Sequence, residues 1–209
     1  TFGYDTACSV VSEAVDSLRT TARAHKRIII IETMGRTAGW IALGGGMASM
    51  ADAIMIPERP LNLDKFKEFL EKKHQTQRGV IVVASEGTTL EDNVQRDLDK
   101  SGASVMVADY GIGERLAKWV ESEINWEARH VVLGHLQRSH PPTTTDRFLT
   151  TAMGIVVARL AHKGEWGKAA VFKNGQVTPV PIESIMGPAR NVDQDHRWVK
   201  MAQALGIFI

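Results

Sequence analysis

The sequence predicts an α/β fold: a parallel-sheet sandwich with helices on both faces. Two observations carry this. The strand-like segments are continuous apolar runs, Ile28-Ile29-Ile30-Ile31 and Val80-Ile81-Val82-Val83-Ala84, where a sheet with one wet face would alternate. Between these runs lie stretches with apolar residues at helical spacing, so strands and helices alternate along the chain.

Val10, Val11, Ala14, Val15 and Leu18 predict a first helix over residues 5–24. A strand over 27–33 runs out at Met34-Gly35-Arg36, and a helix rich in small residues is predicted over 37–50. Ala53-Ile54-Met55-Ile56-Pro57 reads as a short buried strand stopped by proline. Asn62 or Asp64 caps a helix running to Gln75. The strand Gly79–Ala84 ends at Ser85-Glu86-Gly87. A polar loop over 88–102 and a helical pattern over 104–123 follow. Val131-Val132-Leu133 is a fourth strand, ending at Gly134. A proline-bearing loop leads to a helix over 143–162. This helix is apolar on one face, through Ala152, Ile155, Val156 and Leu160. Asn174-Gly175 reads as the turn of a strand pair, and a last helix is predicted over 193–205.

At 209 residues the chain makes one large domain or two modest ones. Apolar content of 44% and charged content of 23% are those of a soluble globular protein. A net charge of +1 gives no bulk field for nucleic acid. No apolar run is long enough to span a bilayer, and no signal-peptide pattern opens the sequence, so no membrane partner is expected. The single cysteine, Cys8, fits a reducing, cytoplasmic setting and reads as an inert thiol within a helix. Thr1-Phe2-Gly3-Tyr4-Asp5-Thr6-Ala7 reads like the interior of a longer protein.

Three strands end in polar residues of a matching kind: Met34-Gly35-Arg36, Glu86-Gly87, and Gly134-His135-Leu136-Gln137-Arg138. In a parallel sheet these ends share one edge, the edge where open α/β folds bind ligands. Arginine and histidine suit a phosphate dianion, and a carboxylate suits sugar hydroxyls. Backbone N–H groups where a helix follows the first strand add a further anion site. The set reads as a phosphosugar site. Each member also has a purely structural reading: Arg36 as a surface side chain, Glu86 as a helix cap, His135 as a core histidine, Gln137 and Arg138 as loop residues. Gly44-Gly45-Gly46 lacks the order of a nucleotide loop and reads as close packing.

Met34-Gly35-Arg36 after a strand, together with Gly134-His135-Leu136-Gln137-Arg138, resembles the phosphofructokinase family. Thr1–Ala7 resembles the opening of that family's second domain, Val83-Ala84-Ser85-Glu86-Gly87 its sugar-binding glutamate strand, and Asp146-Arg147 the segment after its histidine loop. The resemblance covers nearly the whole chain in order. It implies a sugar-phosphate-binding domain over 1–136, a segment over 137–190 returning to a donor-binding domain mostly absent here, so that the apolar face of the helix over 143–162 is expected to be exposed, and a C-terminal helix over 191–209. It implies phosphorylation of fructose 6-phosphate at its 1-hydroxyl, a step of glycolysis, with Mg²⁺ and ATP or pyrophosphate in the intact enzyme. By resemblance His135 and Arg138 hold the 6-phosphate, and Leu136 and Gln137 belong to the same substrate loop. Met34 and Gly35 line the sugar, Glu86 accepts from its hydroxyls, and Arg36 lies near the reacting phosphates. Arg27 and Arg129 match arginines that reach a neighbouring subunit's substrate in a homo-oligomer, Arg27 beside the chemistry.

The sequence also departs from the family. The glycine-rich donor loop and the catalytic aspartate lie upstream of Thr1, and Asp5 matches a different position. The chain alone is therefore expected to bind sugar phosphate, to hold no cofactor and to be inactive. Ser139-His140 stands where the family has glycines, whose backbone is freer. The rival readings are a pyrophosphate-dependent enzyme, a non-catalytic phosphosugar-binding regulatory subunit, and a nucleotide-binding domain with an accidental likeness.

Overall fold

The computed structural model describes residues 2–90 and 111–209. Helix α1 (Tyr4–His25) leads into β1 (Ile28–Thr33), followed by α2 (Trp40–Ala48), β2 (Ala53–Met55), α3 (Leu63–Thr76) and β3 (Val80–Ser85). After the second described stretch begins come α4 (Ile112–Ile124), β4 (Ala128–Val132), a short α5 (Leu136–Ser139) and α6 (Thr144–His162). The hairpin β5 (Lys168–Lys173) and β6 (Gln176–Pro181), a 3-10 turn (Ile182–Ile185) and α7 (Arg197–Ala204) complete the fold.

The main sheet is wholly parallel, in the order β2-β3-β1-β4. Both faces of β1 and β3 are buried, which is why their sequences are unbroken apolar runs. Ile29, Ile31, Ile81 and Val83 pack with Val11, Val15 and Leu43 on one side. Ile28, Ile30, Val80 and Val82 pack with Phe66, Leu70, Leu116 and Val120 on the other. Each such side chain contributes about 1.5–3 kcal/mol, so the two layers dominate stability. Phe208 extends the sheet beyond β2 through Ile54 N–H to its carbonyl (2.8 Å) and its own N–H to Asp52 O (3.1 Å).

Several sequence expectations meet corrections. Helix α2 begins at Trp40 rather than at 37, because Arg36 takes a left-handed backbone (φ 51°) and Ala38 N–H closes a turn onto Gly35 O (3.0 Å). Helix α7 begins at Arg197 rather than at 193. His196 N–H turns back onto Asp193 O (3.0 Å), and the His196 ring then caps Trp198 N–H (3.3 Å). The proline-bearing loop contains α5. Strand β4 starts three residues earlier than expected, at Ala128; Arg129 and His130 are exposed on this edge strand and hide its apolar signal. Of the two candidate caps, Asn62 accepts from Lys65 N–H (2.9 Å). The expected loop over 88–102 and the start of the helical pattern at 104 fall largely outside the described residues.

The hairpin turns at Asn174 (φ 50°) and Gly175 (φ 82°), both left-handed as a tight two-residue turn requires. Helix α6 lies against this hairpin. Ala152, Val156 and Leu160 are therefore half-buried rather than exposed, and of the expected face Ile155 remains open, beside Phe148 and Val157.

The run Gly44-Gly45-Gly46 brings α2 hard against its neighbours. A Cβ at Gly45 would lie 2.5 Å from Val11 Cβ, and one at Gly46 would lie 2.8 Å from Ile54 Cγ1. The Gly45→Ala variant is expected to lose about 1–3 kcal/mol by overpacking. Gly154→Ala, in α6 with no atom within 4 Å of the new methyl, is expected to be neutral or to gain up to about 1 kcal/mol from helix propensity. Urea denaturation of the two variants beside the parent checks both; equal midpoints would show that the glycine run is not a packing device.

Candidate functional site

Because β3, β1 and β4 are neighbours and parallel, their carboxyl ends bring the three polar loops together. Glu86 Oε1 accepts from the backbone N–H groups of Gly35 (3.1 Å) and Arg36 (2.8 Å), joining the loop after β3 to the loop after β1. Gln137 joins the third loop: its Oε1 accepts from Met34 N–H (3.3 Å) and its Nε2 donates to Gly134 O (3.1 Å). Arg138 Nε points at Met34 Sδ (3.4 Å). The loops meet so closely that a Cβ at Gly87 would fall 1.7 Å from Arg36 O, so this position requires glycine.

Met34, Gly35, Arg36, Glu86, Gln137 and Arg138 are thus interlocked, with His135 and Leu136 exposed on the same loop. Gln137 is buried and its amide is engaged on both sides, so it acts on the site as a clasp. Arg138 makes no ion pair among the described residues, and its terminal nitrogens remain available. Glu86 Oε2 has no hydrogen-bond partner among the described residues either, so it can accept from a ligand hydroxyl while Oε1 holds the turn. Met34, Gly35 and Arg138 open onto a cleft of about 1050 Å³, whose walls also include Tyr4, Trp40, His140 and Arg190.

The anion site expected from free backbone N–H groups is corrected here. Gly35 and Arg36 N–H are taken by Glu86. Gly39 N–H, at the start of α2, is taken by both oxygens of Glu58 (3.0 and 3.1 Å), which also accepts from Val192 N–H (2.8 Å). The protein's own carboxylates already occupy these N–H groups, which leaves the cationic side chains as the groups here that could hold an anion. Glu58 was missed by sequence reasoning, since its partners lie 19 and 134 residues away.

A second network fixes the base of the cleft. Asp146 is buried and accepts from Gly3 N–H (2.7 Å), Thr6 N–H (2.8 Å) and Thr6 Oγ1 (2.6 Å), so it caps α1 from α6. Thr143 Oγ1 donates to Asp5 Oδ2 (2.6 Å), and Thr143 N–H donates to Thr6 Oγ1 (3.1 Å). Burial works to raise the Asp146 pKa. The hydrogen bonds from the Thr6 hydroxyl and from the Thr6 and Gly3 backbones outweigh it and hold the carboxyl below the ordinary aspartate value. Burial pushes the Cys8 thiol up to about 11, so it stays protonated at neutral pH and is no nucleophile. The neighbouring Tyr4 hydroxyl is also pushed up, chiefly by burial, and donates to Trp40 O (3.1 Å).

Arg27 and Arg129 lie at the opposite, amino edge of the sheet. Arg27 pairs with Glu127 (3.2 Å), and Arg129 pairs with Glu127 (2.8 Å) and Glu121 (2.9 Å). A strand of β1's length separates the edges by about 17–20 Å, so neither arginine joins the cleft of its own chain. Among the described residues no cluster of histidine, cysteine or carboxylate side chains could hold a metal ion. No helix among them is long and apolar enough to cross a membrane.

The phosphofructokinase family model matches residues 1–161. The ATP-dependent 6-phosphofructokinase 2 of Clostridium perfringens is 36% identical over 99% of this chain and 57% of its own length. The pyrophosphate–fructose 6-phosphate 1-phosphotransferase of Streptomyces coelicolor is 38% identical over 92% of this chain and 57% of its own length. The chain thus spans a little over half the length of these relatives. The crystal structure of a pyrophosphate-dependent phosphofructokinase from Marinobacter aquaeolei shares the fold, with a TM-score of 0.73 at 22% identity over all of this chain and 51% of that one.

The Asp146 network yields a pH dependence. The carboxyl's pKa is lower folded than unfolded, so its stabilisation is complete above the unfolded value of about 3.9 and is lost as pH falls through the folded value. Asp146→Asn is expected to cost about 1.5–3 kcal/mol at pH 7, because an amide N–H₂ would face the donors of Gly3 and Thr6. It should also flatten the stability profile at acid pH. Thermal melts of parent and variant from pH 3 to 7 check this; a constant difference across that range would show that the carboxylate's ionisation plays no part.

Proposed function

This chain belongs to the phosphofructokinase family, and we propose that it carries the fructose 6-phosphate side of a 6-phosphofructokinase site. The observation that supports this most directly is the meeting of Met34–Arg36, Glu86 and Arg138 at one sheet edge, locked by Glu86 and Gln137. The pattern supplies cations for a phosphate beside a carboxylate for hydroxyls, the two recognition tasks a sugar phosphate sets.

In this reading Arg138, with His135, anchors the 6-phosphate. Met34 and Gly35 line the sugar, Glu86 accepts from its hydroxyls through Oε2, and Leu136 and Gln137 shape the loop. Phosphoryl transfer depends chiefly on positioning and on stabilising charge at the phosphoryl oxygens. Binding energy from the remote 6-phosphate orients the 1-hydroxyl for attack, while Arg36 offers charge near the phosphoryl group. The donor is ATP or pyrophosphate with Mg²⁺, and no residue of this chain is assigned to hold either. Arg27 and Arg129 serve the cleft of a neighbouring copy in a homo-oligomer. The setting is the cytoplasm, in glycolysis.

Calorimetric titration with fructose 6-phosphate tests the reading. Binding is expected, and Arg138→Ala should abolish it; a folded protein that binds no fructose 6-phosphate would overturn the proposal. In an enzyme that includes the donor side, Arg138→Ala should raise KM at least about tenfold with a smaller loss of kcat, the mark of a remote anchor. A dominant kcat loss at unchanged KM would sink the anchor role.

A further inference from the structure

With the turn amides already engaged by Glu86 and Glu58, the cations facing the cleft decide how an anion is held, and one of them belongs to no expected set. Arg190 lies between the 3-10 turn and α7, on a segment fastened to the start of α2. Its carbonyl accepts from Trp40 Nε1 (2.6 Å), and two residues on, Val192 N–H donates to Glu58 (2.8 Å). Trp40 is itself fixed: Tyr4 donates to its carbonyl (3.1 Å), and the His196 ring packs edge-on at 5.1 Å. The Arg190 guanidinium lies over the Trp40 ring, 5.8 Å from its centroid. This contact engages the ring's π face and uses none of the guanidinium's N–H donors. No carboxylate or carbonyl pairs with the Arg190 side chain among the described residues. It lines the same cleft as Met34, Gly35 and Arg138.

We propose that Arg190 is a further phosphate-binding residue of the sugar-phosphate cleft, acting with Arg138 on the phosphate group of the substrate. The proposal rests on the reading of the cleft given above. A phosphate dianion has acceptor sites for two guanidinium forks. Trp40 supplies what a flexible arginine otherwise lacks, a surface that restricts it before the ligand arrives, so less entropy is lost on binding.

The test is calorimetry of the full chain with fructose 6-phosphate, inorganic phosphate and unphosphorylated fructose, comparing the parent with Arg190→Gln, Arg190→Lys and Arg138→Ala. Arg190→Gln is expected to weaken fructose 6-phosphate and inorganic phosphate about tenfold, the loss expected for one charge-assisted partner, and to leave any response to fructose unchanged. Arg190→Lys, which keeps the charge without the fork, should fall between. Thermal midpoints should move little, because Trp40 Nε1 keeps its bond to the carbonyl of residue 190 and only the exposed contact of the guanidinium with the Trp40 ring is lost. If Arg138→Ala abolishes binding while Arg190→Gln binds like the parent, Arg190 is no ligand and the sugar-phosphate reading stands. A parent protein that binds neither phosphate compound overturns both.

Discussion

The carboxyl edge of this sheet depends on carboxylates that accept from backbone N–H groups. Glu86 holds Gly35 and Arg36, Glu58 holds Gly39 and Val192, and Asp146 holds Gly3 and Thr6. Loops at a sheet edge have few internal hydrogen bonds of their own, and buried N–H groups must find acceptors. A charged acceptor is worth about 1.5–3 kcal/mol per bond where the bond is buried, as between Thr6 and Asp146, and less where it is exposed, as at Glu86; exposed ion pairs such as Lys67–Glu123 hold about 0–1 kcal/mol. The clamps therefore decide where the loops lie, and the ion pairs on the helices do not.

The same clamps set the electrostatics of the cleft. Three carboxylates at the edge would repel a phosphate if they stood free. Each is instead held by backbone donors, Glu86 through Oε1 alone, and Arg138 and Arg190 line the cleft without a carboxylate of their own among the described residues. The arrangement separates two tasks that a glycine-rich phosphate loop combines. Backbone geometry is fixed internally, and anion binding is left to long cationic side chains. Arginine suits the second task because its fork keeps its donors in a fixed plane while the stem adjusts. Met34 beneath Arg138 and Trp40 beneath Arg190 are soft, polarizable platforms that limit this adjustment.

How much of this was legible in the sequence follows from range. The continuous runs of β1 and β3 announced a sheet buried on both faces, and Asn174-Gly175 announced a hairpin, because each signal is local to its own element. The three polar strand ends were legible as one site because parallel topology alone brings them to one edge. The amide clamps were not. Glu58 reaches a partner 134 residues on, and Asp146 reaches back 143 residues to Gly3, distances at which composition and periodicity carry no information. The delayed start of α2 has the same origin: residues 37–39 fit a helix locally, and the left-handed Arg36 with the Glu58 contact to Gly39 overrides them. Arg190 escaped notice because an arginine in a polar tail has no pattern until Trp40 is placed beneath it.

At the amino edge the arginines are paired with carboxylates. Arg27, Glu127, Arg129 and Glu121 form a compact set of two cations and two anions, remote from the cleft. For either arginine to serve a phosphate, the phosphate must belong to another copy of the chain, and the arginine must exchange a carboxylate for it. For Arg129 the exchange is inexpensive. Pairs as exposed as Arg129 with Glu121, at 54% and 45% side-chain exposure, hold about 0–1 kcal/mol, while a dianionic phosphate desolvated between two chains offers a guanidinium more. In the proposed oligomer, Glu127 and Glu121 hold the arginines until a neighbour's substrate competes for them. On the proposed reading the anion-binding charge is divided between two edges of one sheet, and only assembly brings the two parts to the same ligand.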